Sequence, residues 1–227
     1  KVMAKNGAPH GTVLIAGAQT GGHGRMGRSF HSPEGTGIYL SILIRPNCAP
    51  TELMHLTCAA AAAMCDAVED AVGIRPGIKW TNDLVHGKRK LGGILTELGL
   101  NPSGTVEYAI IGIGINCCQE SKDFPEEIRS IAASLSMVTG STVDRSRVAA
   151  ALMEAFFQMD ETLLTGADAM MERYRSRCIT LGQDVVLIRG DEKRYGTALD
   201  IDGEGALVVR YADGETAAQV DIAAEKY

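Results

Sequence analysis

The chain has 227 residues, enough for one large domain or one domain with a small appendage, and its 45% hydrophobic content can fill a core. With 22 Lys and Arg against 28 Asp and Glu, the formal charge is -6, which excludes a chain-wide attraction for nucleic acid or anionic lipid; anion binding has to be local. The six cysteines, Cys48, Cys58, Cys65, Cys117, Cys118 and Cys178, form neither a C-x-x-C pair nor a Cys/His cluster with zinc spacing, and read as free thiols of a reducing cytoplasm. No signal peptide is visible, and the longest apolar run, "CAAAAAMC", is too short to span a bilayer. The sequence opens at Lys1, which suggests that a natural N-terminus lies upstream.

In chain order, residues 11–20 form a β-branched run, and residues 37–46 a second strand. Between them stands "QTGGHGRMGRSFHSPEG", residues 19–35, with five glycines and two arginines, which therefore connects neighbouring strands. From residue 51 to 72 the apolar positions Leu53, Leu56, Ala60, Met64, Ala67 and Ala71 keep a helical period, ended by Gly73 and Pro76. A short strand, a turn at Thr81-Asn82-Asp83 and a hairpin around His86-Gly87, with its second arm at residues 91–98, come next. Residues 105–117 are nearly all apolar and predict a strand buried on both faces. Two helices follow, over 145–164 and 167–178. Together these predict an α+β domain, with an α/β mixed sheet. Beyond residue 178, short strands separated by Gly-Asp, Asp-Gly and Gly-Glu turns predict a small antiparallel barrel and a domain boundary there.

Three stretches carry candidate chemistry. In the loop, Gly21, Gly22, Gly24 and Gly27 let backbone N–H groups approach a ligand, and Arg25 and Arg28 add charge suited to a phosphate or carboxylate. The plain alternative is a mobile connection with incidental arginines. The pattern is neither a phosphate loop nor a dinucleotide fingerprint, since no helix follows it. Lys79, in "KWTNDL", stands at a strand end beside Trp80, either as an anion partner at a cleft edge or as an ordinary surface lysine. Asn82 and Asp83 suit a magnesium ion, or simply the turn. In "GIGIN", residues 112–116, glycines alternate along a strand, so either a ligand approaches the backbone near Asn116 or a helix packs closely. His10, His23, His31, His55 and His86 show no ligand spacing, and Ser29, Ser32 and Ser41 lie outside any nucleophile elbow.

Taken in order, "AGAQTGGHGRMGRSFHSPEGTGIYLSILIRP", "KWTNDLVHGKRKLGGILTEL" and "IIGIGINC" resemble the biotin protein ligases, and the resemblance covers nearly the whole chain. It implies a class II synthetase-like catalytic domain over residues 1–178 and a C-terminal SH3-like barrel over 179–227. It implies biotin, ATP and Mg2+ as ligands: biotin and ATP give biotinyl-5′-AMP and pyrophosphate, and a lysine of a biotin carboxyl carrier protein then takes the acyl group. Lys79 and Arg25 match the catalytic lysine and arginine. Gln19, Gly22, His23, Gly24, Arg25, Lys79 and Gly93 fall on the biotin side; Arg25, Arg28, Lys79, Asn82 and Asn116 fall on the nucleotide side; no metal ligand is assigned. A homodimer is compatible with the family, and no DNA or membrane contact is expected of the visible chain.

Departures from the family pattern carry expectations of their own. His23 and Met26 stand where the family has arginines, which implies weaker or pH-dependent retention of the adenylate, tested by comparing its release near pH 6 and pH 8 in wild type and His23→Arg. Thr81 stands in place of a proline, and the family's Ser-Thr-Asn segment would lie upstream of Lys1. The competing readings are a ligase/repressor whose helix-turn-helix precedes Lys1, a lipoate–protein ligase, and a non-catalytic biotin-binding relative.

Overall fold

The computed structural model describes residues 1–189, 191–220 and 223–226. A short helix, α1 (Val2–Lys5), leads into β1 (Thr12–Ala16) and, across the glycine loop, into β2 (Gly37–Ile44), which pairs antiparallel with β1 from Thr12↔Leu43 to Ala16↔Tyr39. After a 3-10 turn at Pro50–Leu53 comes α2 (Leu56–Val72), closed by Gly73 at φ 73. The helix thus starts later than its apolar period, because Pro50 favours a first turn that the chain then leaves. Next are β3 (Gly77–Lys79), β4 (Asp83–His86), β5 (Arg89–Leu100) and β6 (Val106–Asn116). The six strands make one sheet in the order β1-β2-β6-β5-β4-β3.

All five ladders are antiparallel, as an α+β domain allows, and among the described residues the parallel pairing of a mixed sheet is confined to the isolated bridges Ile78↔Cys178 and Lys90↔Ala132. The expectation that β6 is buried on both faces is corrected. Ala109, Ile111, Ile113 and Ile115 are sealed in the core, while Ile110, Gly112 and Gly114 are only half-buried on the opposite face. The apolar run reflects one helix-covered face plus a face of small residues that floors a cavity.

Between β6 and the long helices, the chain makes a strap that sequence periodicity misses. It contains a 3-10 turn (Ser121–Asp123), α3 (Glu126–Arg129) and α4 (Leu135–Thr139). These are too short for a 3.6-residue period to register. α5 (Arg145–Thr162) is capped by Asp144, whose carboxylate accepts from Ser146 N at 2.8 Å, and α6 (Ala167–Arg177) ends at the Ile78↔Cys178 bridge. α2 packs on α5, α6 and β5. Its alanine run allows close approach: a Cβ on Gly92 would lie 2.7 Å from Met64 Cε.

The remaining strands, β7 (Asp184–Arg189), β8 (Glu192–Ile201), β9 (Leu207–Tyr211), β10 (Thr216–Gln219) and β11 (Ala223–Lys226), form a second antiparallel sheet in the order β10-β9-β8-β7-β11. Its inner residues Val185, Leu187, Ala198, Ile201, Leu207 and Val209 belong to the same buried cluster as α2 and β3. The two sheets therefore share a core, and the contact falls beside Lys79.

Candidate active site

The glycine loop is a narrow, self-bonded hairpin. Gln19 bridges Ser32 and His23 bridges Ser29; Phe30 N donates to Gly22 O at 2.9 Å, and Gly24 N donates to Arg28 O at 2.7 Å. Gly22 is required by this crossing, since a Cβ there would lie 2.5 Å from Phe30 O. Gln19 Oε1 accepts from the buried Ser32 hydroxyl at 2.8 Å. At the tip, Met26 adopts φ 56, a left-handed conformation uncommon outside glycine, and its side chain is exposed.

Facing the loop is the turn that carries Lys79. Trp80 is buried; its backbone N–H donates to Thr180 Oγ1 at 2.9 Å and its indole Nε1–H to Gly205 O at 2.9 Å, in the turn between β8 and β9. Tyr174, fully buried on α6, donates its hydroxyl to Thr81 O at 3.0 Å, and burial holds that phenol well above its ordinary pKa, so it remains a donor. The Trp80–Thr81 peptide bond is cis. Asn82 Nδ2 donates to Ile94 O at 2.8 Å and clamps the turn to β5. Arg25 crosses from the loop to donate Nη1–H to Thr81 Oγ1.

The floor is β6 and β5. A Cβ on Gly114 would lie 2.5 Å from the Phe30 ring, so the glycine is needed for the loop to lie down, whereas Gly92 on β5 has Met64 of α2 as a close neighbour. The strap closes the far side: Lys90 N donates to Ile131 O at 2.7 Å, Ala133 N donates to Lys90 O at 2.9 Å, and His31 Nε2 donates to Asp123 O at 2.9 Å.

These parts enclose about 550 Å³, a volume suited to a drug-sized ligand. Of the residues expected from sequence, Gln19, His23, Gly24, Arg25, Arg28, Lys79, Asn82, Gly93 and Asn116 line this cavity, while Gly22 is buried behind it. The Asn116 amide also holds the strap: Nδ2 donates to Ala133 O at 3.1 Å and Oδ1 accepts from Gln119 Nε2 at 3.3 Å. Sequence reasoning passes over Lys88, Lys90, Phe124, Ile128 and Ile131. Lys90 reaches Asp83 Oδ1 at 2.6 Å, above Gly93. The cavity is lined by the cations Arg25, Arg28, Lys79, Lys88 and Lys90 against the carboxylates of Asp83 and Glu97, a surplus of three positive charges in a chain of net charge -6. A focused positive field of this kind suits a polyanion.

Two family models match the chain: the biotin/lipoate A/B protein ligase family over residues 2–116, and the biotin protein ligase C-terminal domain over residues 180–224. This chain belongs to the biotin/lipoate A/B protein ligase family. The biotin–[acetyl-CoA-carboxylase] ligase of Mycobacterium tuberculosis is 32% identical over 205 residues, covering 87% of this chain and 72% of that protein. The bifunctional ligase/repressor BirA of Bacillus subtilis is 37% identical over 213 residues. The chain spans about 65% of the length of the Bacillus relatives it matches. Among solved structures, the biotin protein ligase of Aquifex aeolicus in complex with biotin and ATP superposes with a TM-score of 0.84 at 26% identity, covering 100% of this chain and 94% of that one. Among the described residues, no helix is long and apolar enough to cross a membrane.

Proposed function

We propose that the protein is an ATP-dependent biotin protein ligase of the cytoplasm, with a catalytic domain over residues 1–178 and an SH3-like domain over 179–227. The carrying observation is the single cavity in which the arginine-bearing glycine loop meets the anchored Lys79 turn. In the first step a biotin carboxylate oxygen attacks the α-phosphorus of ATP, the bond to the β-phosphate oxygen breaks, and pyrophosphate leaves. In the second, the amine of a carrier-domain lysine attacks the acyl carbon, gives up a proton, and AMP departs.

An anion attacking a polyanion is slow unless charge is neutralised and the reactants are aligned. Lys79 and Arg25 are assigned to the carboxylate and the α-phosphate, with Arg28 and Asn82 on the nucleotide side. Lys90 joins them on geometric grounds, because its ammonium stands over Gly93 on the cavity floor. Gln19, His23, Gly24 and Gly93 are assigned to the biotin side, with Gly22 shaping the loop behind them. Gly112 leaves room above the floor, Gly114 seats Phe30 of the loop, and the loop keeps water from the labile anhydride.

Magnesium is read as part of the nucleotide substrate. Asp83 offers one carboxylate, and among the described residues no group of three or more His, Cys, Asp or Glu could hold a metal ion, a donor set suited to a cation kept largely by phosphate and water. The acceptor is a biotin carboxyl carrier domain. β1 is an edge strand with Leu14 and Ile15 exposed, a surface on which a carrier or a second copy could dock. No DNA contact is assigned to these residues.

The test is pyrophosphate exchange into ATP with biotin or lipoate as the only acid. Biotin-dependent exchange, with lipoate at background, is expected; exchange with lipoate alone would replace this reading by a lipoate–protein ligase.

A further inference from the structure

We propose that the Thr81 hydroxyl is a positioning residue that holds Arg25 at the Lys79 end of the cavity before any anion is bound; this rests on the ligase reading above. The two residues are 56 positions apart and are joined by the Arg25 Nη1–H to Thr81 Oγ1 hydrogen bond. A guanidinium has five N–H donors, so one can be given to the hydroxyl while others serve a ligand.

Thr81 is a fixed point. Its carbonyl accepts from the buried Tyr174 hydroxyl at 3.0 Å, and the preceding Trp80 is held by Thr180 and Gly205 at 2.9 Å each. The loop, by contrast, carries Gly21, Gly22, Gly24 and Gly27, and glycine loses more backbone freedom on ordering than any other residue. Placing a cation on such a loop over a ligand costs affinity, and a contact that exists before binding reduces that cost. The hydroxyl thus links the movable cation to the anchored turn, and Lys79, two residues before Thr81, presents its own charge from that turn. The bond joins a charged donor to a neutral acceptor at a part-buried site, a setting in which hydrogen bonds exceed the usual neutral pair in strength.

Thr81→Val keeps the shape and removes the hydroxyl, and Thr81→Ser restores it. The measurements are release of the acyl-adenylate formed from biotin and ATP, and tryptic cleavage of the ligand-free loop after Arg25 and Arg28. Roughly tenfold faster release is expected for Thr81→Val, against less than about twofold for Thr81→Ser. Loop cleavage should rise in Thr81→Val and not in Thr81→Ser. In an Arg25→Ala background, Thr81→Val should add nothing, because the hydroxyl acts through Arg25. Unchanged or slower release in Thr81→Val, or the same acceleration without Arg25, would overturn the proposal and leave the ligase reading standing. Absence of any biotin-dependent exchange by the wild type would overturn both.

Discussion

The glycine loop and the lysine turn face each other across one cavity and are built in opposite ways. The loop closes mainly on itself, through Gln19, Gly22, Gly24, Arg28, Phe30 and Ser32, and its tip is exposed. The turn is tied at Trp80 and Thr81 to α6 and to the second sheet by three hydrogen bonds from or to groups in the core. A two-step transfer needs both kinds of construction. The charges that align carboxylate and α-phosphate must stand still, whereas whatever covers the intermediate must open for the next substrate. On this account the turn supplies the fixed charge of the first step, while the loop adds Arg25 to that alignment and retains the product.

The largest effect expected of that division comes from Lys79→Ala. Loss of a fixed charge at the reacting centre should lower biotin adenylation about 10²-fold or more with the fold intact, measured as the first-step rate under single-turnover conditions. Intact adenylation in this variant would break the comparison at its rigid end.

A smaller effect is expected at the loop's seat. Gly114→Val puts side-chain atoms where the Phe30 ring lies, since even a Cβ would come within 2.5 Å of it. The loop should lift, with an order-of-magnitude faster release of the intermediate and a modest change in the adenylation rate. Equal losses in both would show that loop and turn are not separable.

Trp80→Phe removes the indole N–H that meets Gly205 O and leaves that carbonyl without its donor. A loss of about 2 kcal/mol is expected, or roughly 4–8 °C in Tm for a chain of this size.

A last effect is confined to high pH. Burial pushes the thiols of Cys58, Cys65 and Cys117 up to about 12 from their ordinary value of 9.0. Well below pH 9 these groups are protonated whether the chain is folded or not, and they add no pH dependence. Above it the unfolded chain ionises first, so stability should fall between about pH 9 and 12 in equilibrium unfolding. A flat profile there would show the thiols to be more accessible than their burial indicates.

Much of this was legible in the sequence because it is local. Glycines between two β-branched runs announce a strand-loop-strand unit, and His86-Gly87 announces a hairpin. What escaped depends on contacts distant in sequence. That Lys90, on the second arm of the hairpin, faces the same cavity as Lys79 follows from the pairing of β4 with β5, including a register shift at Leu84/Val85 that no residue type signals. Asn116 reads from sequence as a ligand contact, and only the fold adds that its amide also bonds Ala133 and Gln119, from a strap whose short turns have no period. The alternating glycines of β6 stand out in the sequence, yet only the folded chain shows that the close neighbour of Gly114 is the Phe30 ring of the loop.

The division of labour is tested most directly by a single-turnover reaction with a carrier domain, in which adenylate formation and acyl transfer are followed separately for wild type and Arg25→Ala. The account predicts that the wild type delivers nearly all of its adenylate to the carrier lysine, while Arg25→Ala forms adenylate more slowly and loses most of what it forms to solvent. If Arg25→Ala formed no adenylate, or formed it and delivered it as the wild type does, the assignment of retention to the loop would be contradicted.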